Sequence, residues 1–428
     1  MPLPFTAVRR YLPAIVVLAV IAALTLRPIP SQTRVSALTP VLCLVCGSIG
    51  LVDVLLNVLL FVPLGIALHY AGMRVARITL VGLGVSLVIE VLQLAVIPGR
   101  DASLSDLITN TAGVVLGGVL GATWRKLVFP RPSRALRIAT IYAVAWAAIW
   151  GASAALLHPD PRPGQYYGQW AHDFDDNRTQ WGGSVREVRL NGIPVPDGLV
   201  PDEPLRDALE GGKFTLELHG VSGPQPHKVA QIFGLASSQG EIFVEWTQYG
   251  RDLRFMIRYG PSLLRLRSPV VRFDYAAPAD SGEAIHLIAR ERAGVLSAEV
   301  RTPRDTLVAS HALTPSLNWT FALPLTYRWG FETRWGSMLW VLFTLVPLGY
   351  WGAAAGGSRT AALAVGGAAV SGLGLAPLVG GLSPVHWSEW VAAVLACGAG
   401  VILARVAPRR PESVPQVLVP RARVRVRA

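Results

Sequence analysis

Uninterrupted apolar runs recur near 11–26, 53–71, 78–97, 104–122 and 136–157, and again near 337–352, 361–380 and 388–406. Each approaches the roughly 20 residues that a helix needs to cross the hydrocarbon core of a bilayer, so the pattern predicts about eight transmembrane helices. Between the two groups the period changes. Over 162–334 the chain reads as short alternating runs, such as Lys213-Phe-Thr-Leu-Glu-Leu-His219 and Glu241-Ile-Phe-Val-Glu-Trp246, separated by Gly, Pro and Asp. Alternation of this kind marks half-buried strands. Further runs at 253–259, 270–275, 284–290, 295–301 and 306–310 predict a sheet sandwich or jelly roll. The expected fold class is thus an α-helical polytopic membrane bundle with an inserted all-β sandwich domain. Its parts are five helices over 1–157, a β domain over 158–336, three helices over 337–407 and a basic tail over 408–428.

Composition agrees: 52% of residues are hydrophobic and only 15% charged, which is too apolar for a soluble chain of this length. The first run follows Arg9 and Arg10 and lacks a small-residue cleavage site, predicting an uncleaved anchor with a cytoplasmic N-terminus. Alternate loops then hold Arg74 and Arg77, Arg125, Lys126, Arg131, Arg134 and Arg137, Arg359, and Arg405, Arg409 and Arg410, followed by Arg421, Arg423, Arg425 and Arg427 in the tail. The short loops on the other side carry Arg27, Arg34 and Arg100. Because Lys and Arg are retained on the cytoplasmic side, both termini are expected inside the cytoplasmic (inner) membrane and the β domain outside it. The net charge of +12 is then topological, and the expected partner is membrane lipid, with no nucleic acid. The cysteines Cys43, Cys46 and Cys397 are too few for a disulfide scaffold and lack the second pair of a structural zinc site. Cys43 and Cys46 face the oxidising side in this topology, with the reduced and bridged states both open.

Polar residues inside the apolar runs are the informative exception. Asp53 and Asn57 stand four apart, Glu90 and Gln93 three apart, and Asp106 and Asn110 four apart, so each pair shares one helix face. In the topology above, all three faces and Arg100 lie toward the outer leaflet. Ionisable groups at membrane depth cost a few kcal/mol each unless paired or hydrated, which makes them candidates for ligand binding. The competing reading is mutual satisfaction within the bundle. Glu90 and Asp106 are the candidate catalytic acid and base. Gly113, Gly117 and Gly121 form a small-residue stripe suited to close helix packing. His69, His158 and His386 are isolated, and no nucleophile motif, phosphate loop or metal-type His spacing occurs, so no metal or cofactor is expected.

The string Asp53-Val-Leu-Leu-Asn57-Val-Leu-Leu-Phe-Val-Pro-Leu-Gly65, with Glu90-Val-Leu-Gln93, Arg100 and Asp106-Leu-Ile-Thr-Asn110-Thr-Ala-Gly113, resembles the VanZ-like family of membrane proteins. The resemblance covers about 110 residues, including the first helix and the Cys43-Leu-Val-Cys46 loop. It implies an envelope location and a site at these polar positions, in a family named from a protein associated with glycopeptide-antibiotic resistance and without an agreed reaction. In the β domain, Gly212-Lys-Phe-Thr-Leu-Glu217, Ile232-Phe-Gly-Leu235, Gln248-Tyr-Gly-Arg-Asp-Leu-Arg-Phe255 and Asn318-Trp319 resemble the concanavalin A-like, laminin-G-type fold. Such sandwiches often bind carbohydrate by stacking sugar faces on aromatic rings, which singles out Trp170, Trp181, Trp246 and Tyr249. Trp246 is equally open to a core reading. The turn with His172, Asp173, Asp175 and Asp176 is open to calcium or to plain solvation.

The last three runs echo the first bundle. Leu342-Phe-Thr-Leu-Val-Pro-Leu-Gly349 parallels the segment ending at Gly65, and Ser388-Glu389 parallels Ser105-Asp106, at offsets of 284 and 283, which predicts a degenerate repeat of 53–124. The expected function is that of an envelope membrane protein whose β domain binds glycan and whose polar face engages a cell-wall or lipid-linked glycan precursor. The alternative is a membrane-embedded hydrolase or transferase using Glu90 and Asp106 on a lipid-linked substrate. Transport is disfavoured, because the polar cluster sits in the outer half rather than at the midplane.

Overall fold

The computed structural model describes residues 5–27, 50–97, 103–161, 164–172, 178–200, 213–238, 240–264, 266, 268–320 and 333–407. Among the described residues five helices precede the β domain: α1 (Phe5–Thr25), α2 (Gly50–Tyr70), α3 (Val75–Ala95), α4 (Leu104–Val128) and α5 (Pro132–Leu156). After it come the one-turn α6 (Leu317–Thr320), α7 (Thr333–Ala354), α8 (Arg359–Val379) and α9 (Trp387–Val406). Seven of these, α2 to α5 and α7 to α9, are long and apolar enough to cross a membrane. The remaining expected run lies in α1, a helix of 21 residues. Large apolar side chains such as Leu59, Leu80, Leu363 and Val394 are exposed by 64 to 74%. A lipid solvent removes the cost of such exposure, which water would impose on every one of them.

Glycine brings the helices together. A Cβ at Gly113 or Gly117 of α4 would overlap the carbonyl oxygens of Val58 and Val62 in α2, and one at Gly65 would overlap that of Val114. The pair α7 and α9 repeats the arrangement, with Gly400 against the carbonyl of Val346 and Gly349 against that of Cys397. Contact of backbone on backbone supplies the dispersion energy that holds helices together where lipid offers no hydrophobic drive.

The strands are β1 (Tyr166–Trp170), β2 (Arg178–Gln180), β3 (Ser184–Leu190), β4 (Ile193–Pro194), β5 (Gly198–Val200), β6 (Phe214–Val221), β7 (Val229–Ser237), β8 (Ile242–Tyr249), β9 (Asp252–Ile257), β10 (Val270–Phe273), β11 (Ala284–Arg292), β12 (Val295–Arg301) and β13 (Thr306–Ala312). They form two sheets. One is ordered β10-β9-β8-β7-β1-β5, with β2 added in parallel to β7, and the other β13-β12-β11-β6-β3-β4. All other pairings are antiparallel. Alternate residues of the two inner faces, among them Leu216, Leu218, Leu287, Leu296 and Val300 against Val244, Trp246, Leu253 and Phe255, make the core of a β-sandwich.

That core does not stop at the sheets. Ala154 and Leu157 at the end of α5, and Leu382 in the loop between α8 and α9, belong to the same buried cluster. Pro159 forms a β-bridge with Tyr259, Gly260 donates its N–H to the His158 carbonyl at 2.9 Å, and the Ser383 hydroxyl donates to the Gly294 carbonyl at 2.9 Å. The sandwich is therefore seated on the end of α5 and the α8–α9 loop by shared apolar burial and by hydrogen bonds to backbone carbonyls.

Candidate polar site at the end of the first bundle

The site begins with a helix start. Ser103, in extended backbone, caps α4 by accepting the Asp106 N–H on its hydroxyl at 3.0 Å, which satisfies one of the orphan amides of the first turn. Its own N–H donates to Glu90 Oε2 at 2.9 Å, so the last turns of α3 are tied to the first of α4. Asn57, two turns into α2, donates from Nδ2 to Asp106 Oδ1 at 2.6 Å. One turn deeper, Asn110 Nδ2 donates to the Ser86 hydroxyl at 3.1 Å, and Gln93 Nε2 reaches the Thr25 carbonyl at the end of α1 at 2.9 Å. Glu90, Gln93 and Asn110 are 7, 6 and 3% exposed. Asp106 is half-buried, and Asp53, one turn before Asn57, is exposed.

The structure thus brings Asn57, Glu90 and Asp106 into one hydrogen-bonded network through Ser103, with Asn110 directly beneath and Gln93 of α3 beside it, bonded to the end of α1. Arg100 lies outside the described residues, as do Cys43, Cys46 and the acidic turn at Asp173, Asp175 and Asp176. The apolar-run reading passed over Ser86, which is fully buried, although it stands four residues before Glu90 on the same face. It also passed over Ser103, whose Ser-x-x-Asp spacing is a helix-start signature. Chemically, two carboxylates and two amides near the end of a bundle form an acceptor-rich cluster, suited to groups that donate several hydrogen bonds. Asn110 Oδ1 is buried without a hydrogen-bond partner among the described residues.

A second polar cluster occurs where the sandwich meets the other bundle. Glu389, in the first turn of α9 and 3% exposed, accepts the Ser316 hydroxyl at 2.6 Å. Ser316 in turn contacts the Thr314 hydroxyl at 3.1 Å, and Asn318 of α6 donates to the Ser153 carbonyl.

The aromatic residues expected to stack sugars divide. Trp246 is fully buried between the sheets, and Trp181 is 2% exposed with its indole N–H donated to Gln248 Oε1 at 2.7 Å. A stacking platform needs a free ring face, so these two are core residues and the sugar role expected of them is corrected. Their rings supply apolar area to the core, Trp246 lying against Phe255 and Phe273. Trp170 is half-buried against the core, and Tyr249 is 48% exposed at the end of β8.

Comparison with known proteins bears on the first bundle. Residues 3–125 match the VanZ/LLP1 family model. The match runs from the start of α1 into the last turn of α4 and so contains every polar pair of the site. No curated protein and no solved structure matches the chain. With seven membrane-length helices among its described residues, the protein is a multi-pass integral membrane protein that is similar to the VanZ/LLP1 family over residues 3–125. The two-sheet sandwich and the second bundle lie outside the match.

Proposed function

We propose that this is an envelope protein whose VanZ-family segment binds the glycan head of a lipid-linked or cell-wall precursor, with the sandwich as an extracytoplasmic, concanavalin A-like glycan-binding module. The observation that carries the reading is the Asn57–Asp106–Ser103–Glu90 network at one end of α2, α3 and α4. Sugar hydroxyls are dense donors, and carboxylates at headgroup depth are their strongest acceptors. The orientation rests on charge. Arg74, Arg77, Arg125, Lys126, Arg131, Arg134, Arg359 and Arg405 flank the helix ends opposite the polar site and the sandwich, which the positive-inside rule assigns to the cytoplasm. A link to glycopeptide-antibiotic resistance would follow from capture of such a precursor. The rival enzyme reading assigns Glu90 and Asp106 as acid and base. It is disfavoured by their present engagement, since each accepts a hydrogen bond from a neighbouring helix start or amide rather than facing a water-positioning base.

The same reading includes a degenerate repeat, with 337–407 as the second copy of 53–124. Its support is the pair of matched glycine contacts: Gly117 on Val62 and Gly65, and Gly400 on Val346 and Gly349, at the offsets of 283 and 284. Asp106 and Glu389 open equivalent helices. Val341 and Ala393 stand where Asn57 and Asn110 would be, so the second copy serves as the seat of the sandwich.

The test is the thermal stability of the full-length protein in detergent against a panel of soluble envelope glycans and lipid-linked precursors, for wild type and Glu90→Gln. Gln retains an acceptor for the Ser103 N–H, so the fold is kept. A precursor at 100 times its Kd stabilises wild type by about 2.7 kcal/mol, and Glu90→Gln is expected to lose most of that shift. A shift that survives Glu90→Gln and disappears in Tyr249→Ala moves recognition to the sandwich. The absence of any shift overturns the proposal, and turnover of the precursor revives the enzyme reading.

A further inference from the structure

The outward face of the β6–β11 sheet holds a cluster remote in sequence from the membrane site. Antiparallel pairing sets His286 of β11 directly opposite His219 of β6. Glu217, two residues before His219, shares that face, because alternate strand residues point the same way. The two imidazole rings lie 3.8 Å apart between centroids with their planes 19° from parallel. One ligating atom from each of Glu217, His219 and His286 lies within 4.8 Å of the others. Glu217 and His286 are half-buried and His219 is exposed, so the cluster is open on one side.

Two further observations point to a bound group rather than to a simple cross-strand pair. His286 Nε2 is buried and has no hydrogen-bond partner among the described residues, although buried polar atoms are nearly always satisfied. The neighbouring cations are also already neutralised. Arg301, opposite His286 on β12, is paired with Glu299 at 2.5 Å, and Arg189, opposite Glu217 on β3, is paired with Glu187 at 2.6 Å. Each has its nearest carboxylate outside the cluster, although Arg301 also acts electrostatically on Glu217 and His286.

We propose that Glu217, His219 and His286 form a binding site for a divalent first-row transition ion, Zn2+ by preference, with the remaining coordination position open to solvent. Zinc bonds to imidazole nitrogen at about 2.0–2.1 Å and to carboxylate oxygen at about 2.0–2.2 Å, and in tetrahedral geometry this sets the ligand atoms roughly 3.3 Å apart. The three ligating atoms, within 4.8 Å of one another, would have to close by side-chain rotation to reach that spacing on binding. Two imidazoles with one carboxylate suit zinc and its neighbours, whereas calcium and magnesium prefer oxygen alone. Three protein ligands and an open position characterise zinc sites that also hold an exchangeable fourth ligand. The sequence offered only Glu217-x-His219, because His286 joins it through strand pairing alone.

The experiment uses the full-length protein in detergent, stripped with a chelator and titrated with Co2+, then with Zn2+ in competition. The visible absorption of four-coordinate Co2+ reports the site, and a thermal melt without metal reports folding. The expected result is one equivalent of Co2+ displaced by Zn2+, with the absorption lost in His219→Ala and His286→Ala. In Glu217→Gln, affinity is expected to fall by about tenfold or more. All three variants should melt as wild type does when metal-free. A Cys43→Ser/Cys46→Ser variant is expected to bind as wild type does. No binding by wild type, binding unchanged in the histidine variants, or binding lost with the two cysteines would each overturn the proposal.

Discussion

At the base of the sandwich Tyr259 donates its hydroxyl to Glu291 Oε2 at 2.6 Å, with both side chains buried. Burial pushes Glu291 from 4.5 up to about 7, and it also pushes Tyr259 well above its ordinary value, helped by the Glu291 carboxylate. The folded protein therefore keeps the Glu291 proton at pH values where the unfolded chain has lost it. Stability then falls as pH rises between about 4.5 and 7 and stays lower above that window. His311, whose pKa burial lowers, acts in the opposite sense, its contribution being lost as pH falls. Glu291→Gln keeps an acceptor for Tyr259 and is expected to remove its share of the decline between about pH 4.5 and 7. It should raise the melting temperature at pH 8 by the equivalent of up to about 3 kcal/mol and at pH 5 by the equivalent of less than about 1 kcal/mol. An unaltered pH profile would assign the decline to another group. In the membrane, a double-mutant cycle on Asn57→Leu and Asp106→Leu should give a coupling of about 0.6–1.7 kcal/mol, the range for hydrogen bonds between membrane helices. At this scale the polar pairs were legible because a carboxylate in an apolar run is costly and therefore conspicuous. The difference between Trp246 in the core and Tyr249 at the surface was not, since both stand in strands and only the second sheet decides which face is covered.

Among the elements, membrane helices were the most legible, because a run of about 20 apolar residues has few other stable states. The long strands followed from alternation, with ends displaced by a residue or two: the run at 253–259 became Asp252–Ile257 and that at 270–275 became Val270–Phe273. The two- and three-residue strands β2, β4 and β5 have no period to detect and exist only because a neighbour offers hydrogen bonds. The same holds for the π-helical turn Val370–Leu375 in α8, where Gly372 leaves room for the Trp146 ring of α5. Helix packing yields a sharp prediction. Gly117→Val forces a side chain against the α2 backbone and should destabilise the protein by about 3 kcal/mol or more. Gly84→Val, at a position with open space around its Cβ, should cost about 1 kcal/mol or less. Melting temperatures in one detergent compare the two, and equal effects would show that the glycine contact contributes little. Gly400→Val is expected to match Gly117→Val if the bundles are two copies of one unit.

For the whole molecule, the sandwich and the second bundle share one core through Ala154, Leu157 and Leu382. A fragment of residues 158–320 is therefore expected to aggregate or melt well below the full chain, because it exposes the apolar base that α5 and the α8–α9 loop cover. A fragment as stable as the intact protein would show that the seat contributes no stability. Orientation is read by labelling with a membrane-impermeant maleimide in a cysteine-free background. Val308→Cys on β13, 67% exposed, should react in intact cells, and Val406→Cys at the end of α9 only after permeabilisation. The reverse pattern would invert the topology. Residue order alone was enough for the membrane class, the helix spans, the β insert and the three polar pairs, since each is a local pattern that solvent or backbone geometry forces within one element. Only the tertiary structure could join Asn57 to Asp106, close Ser316 over Glu389, bury two of the four aromatic candidates and bring His286 beside His219. These depend on which elements become neighbours, and that choice is made by packing between segments up to hundreds of residues apart.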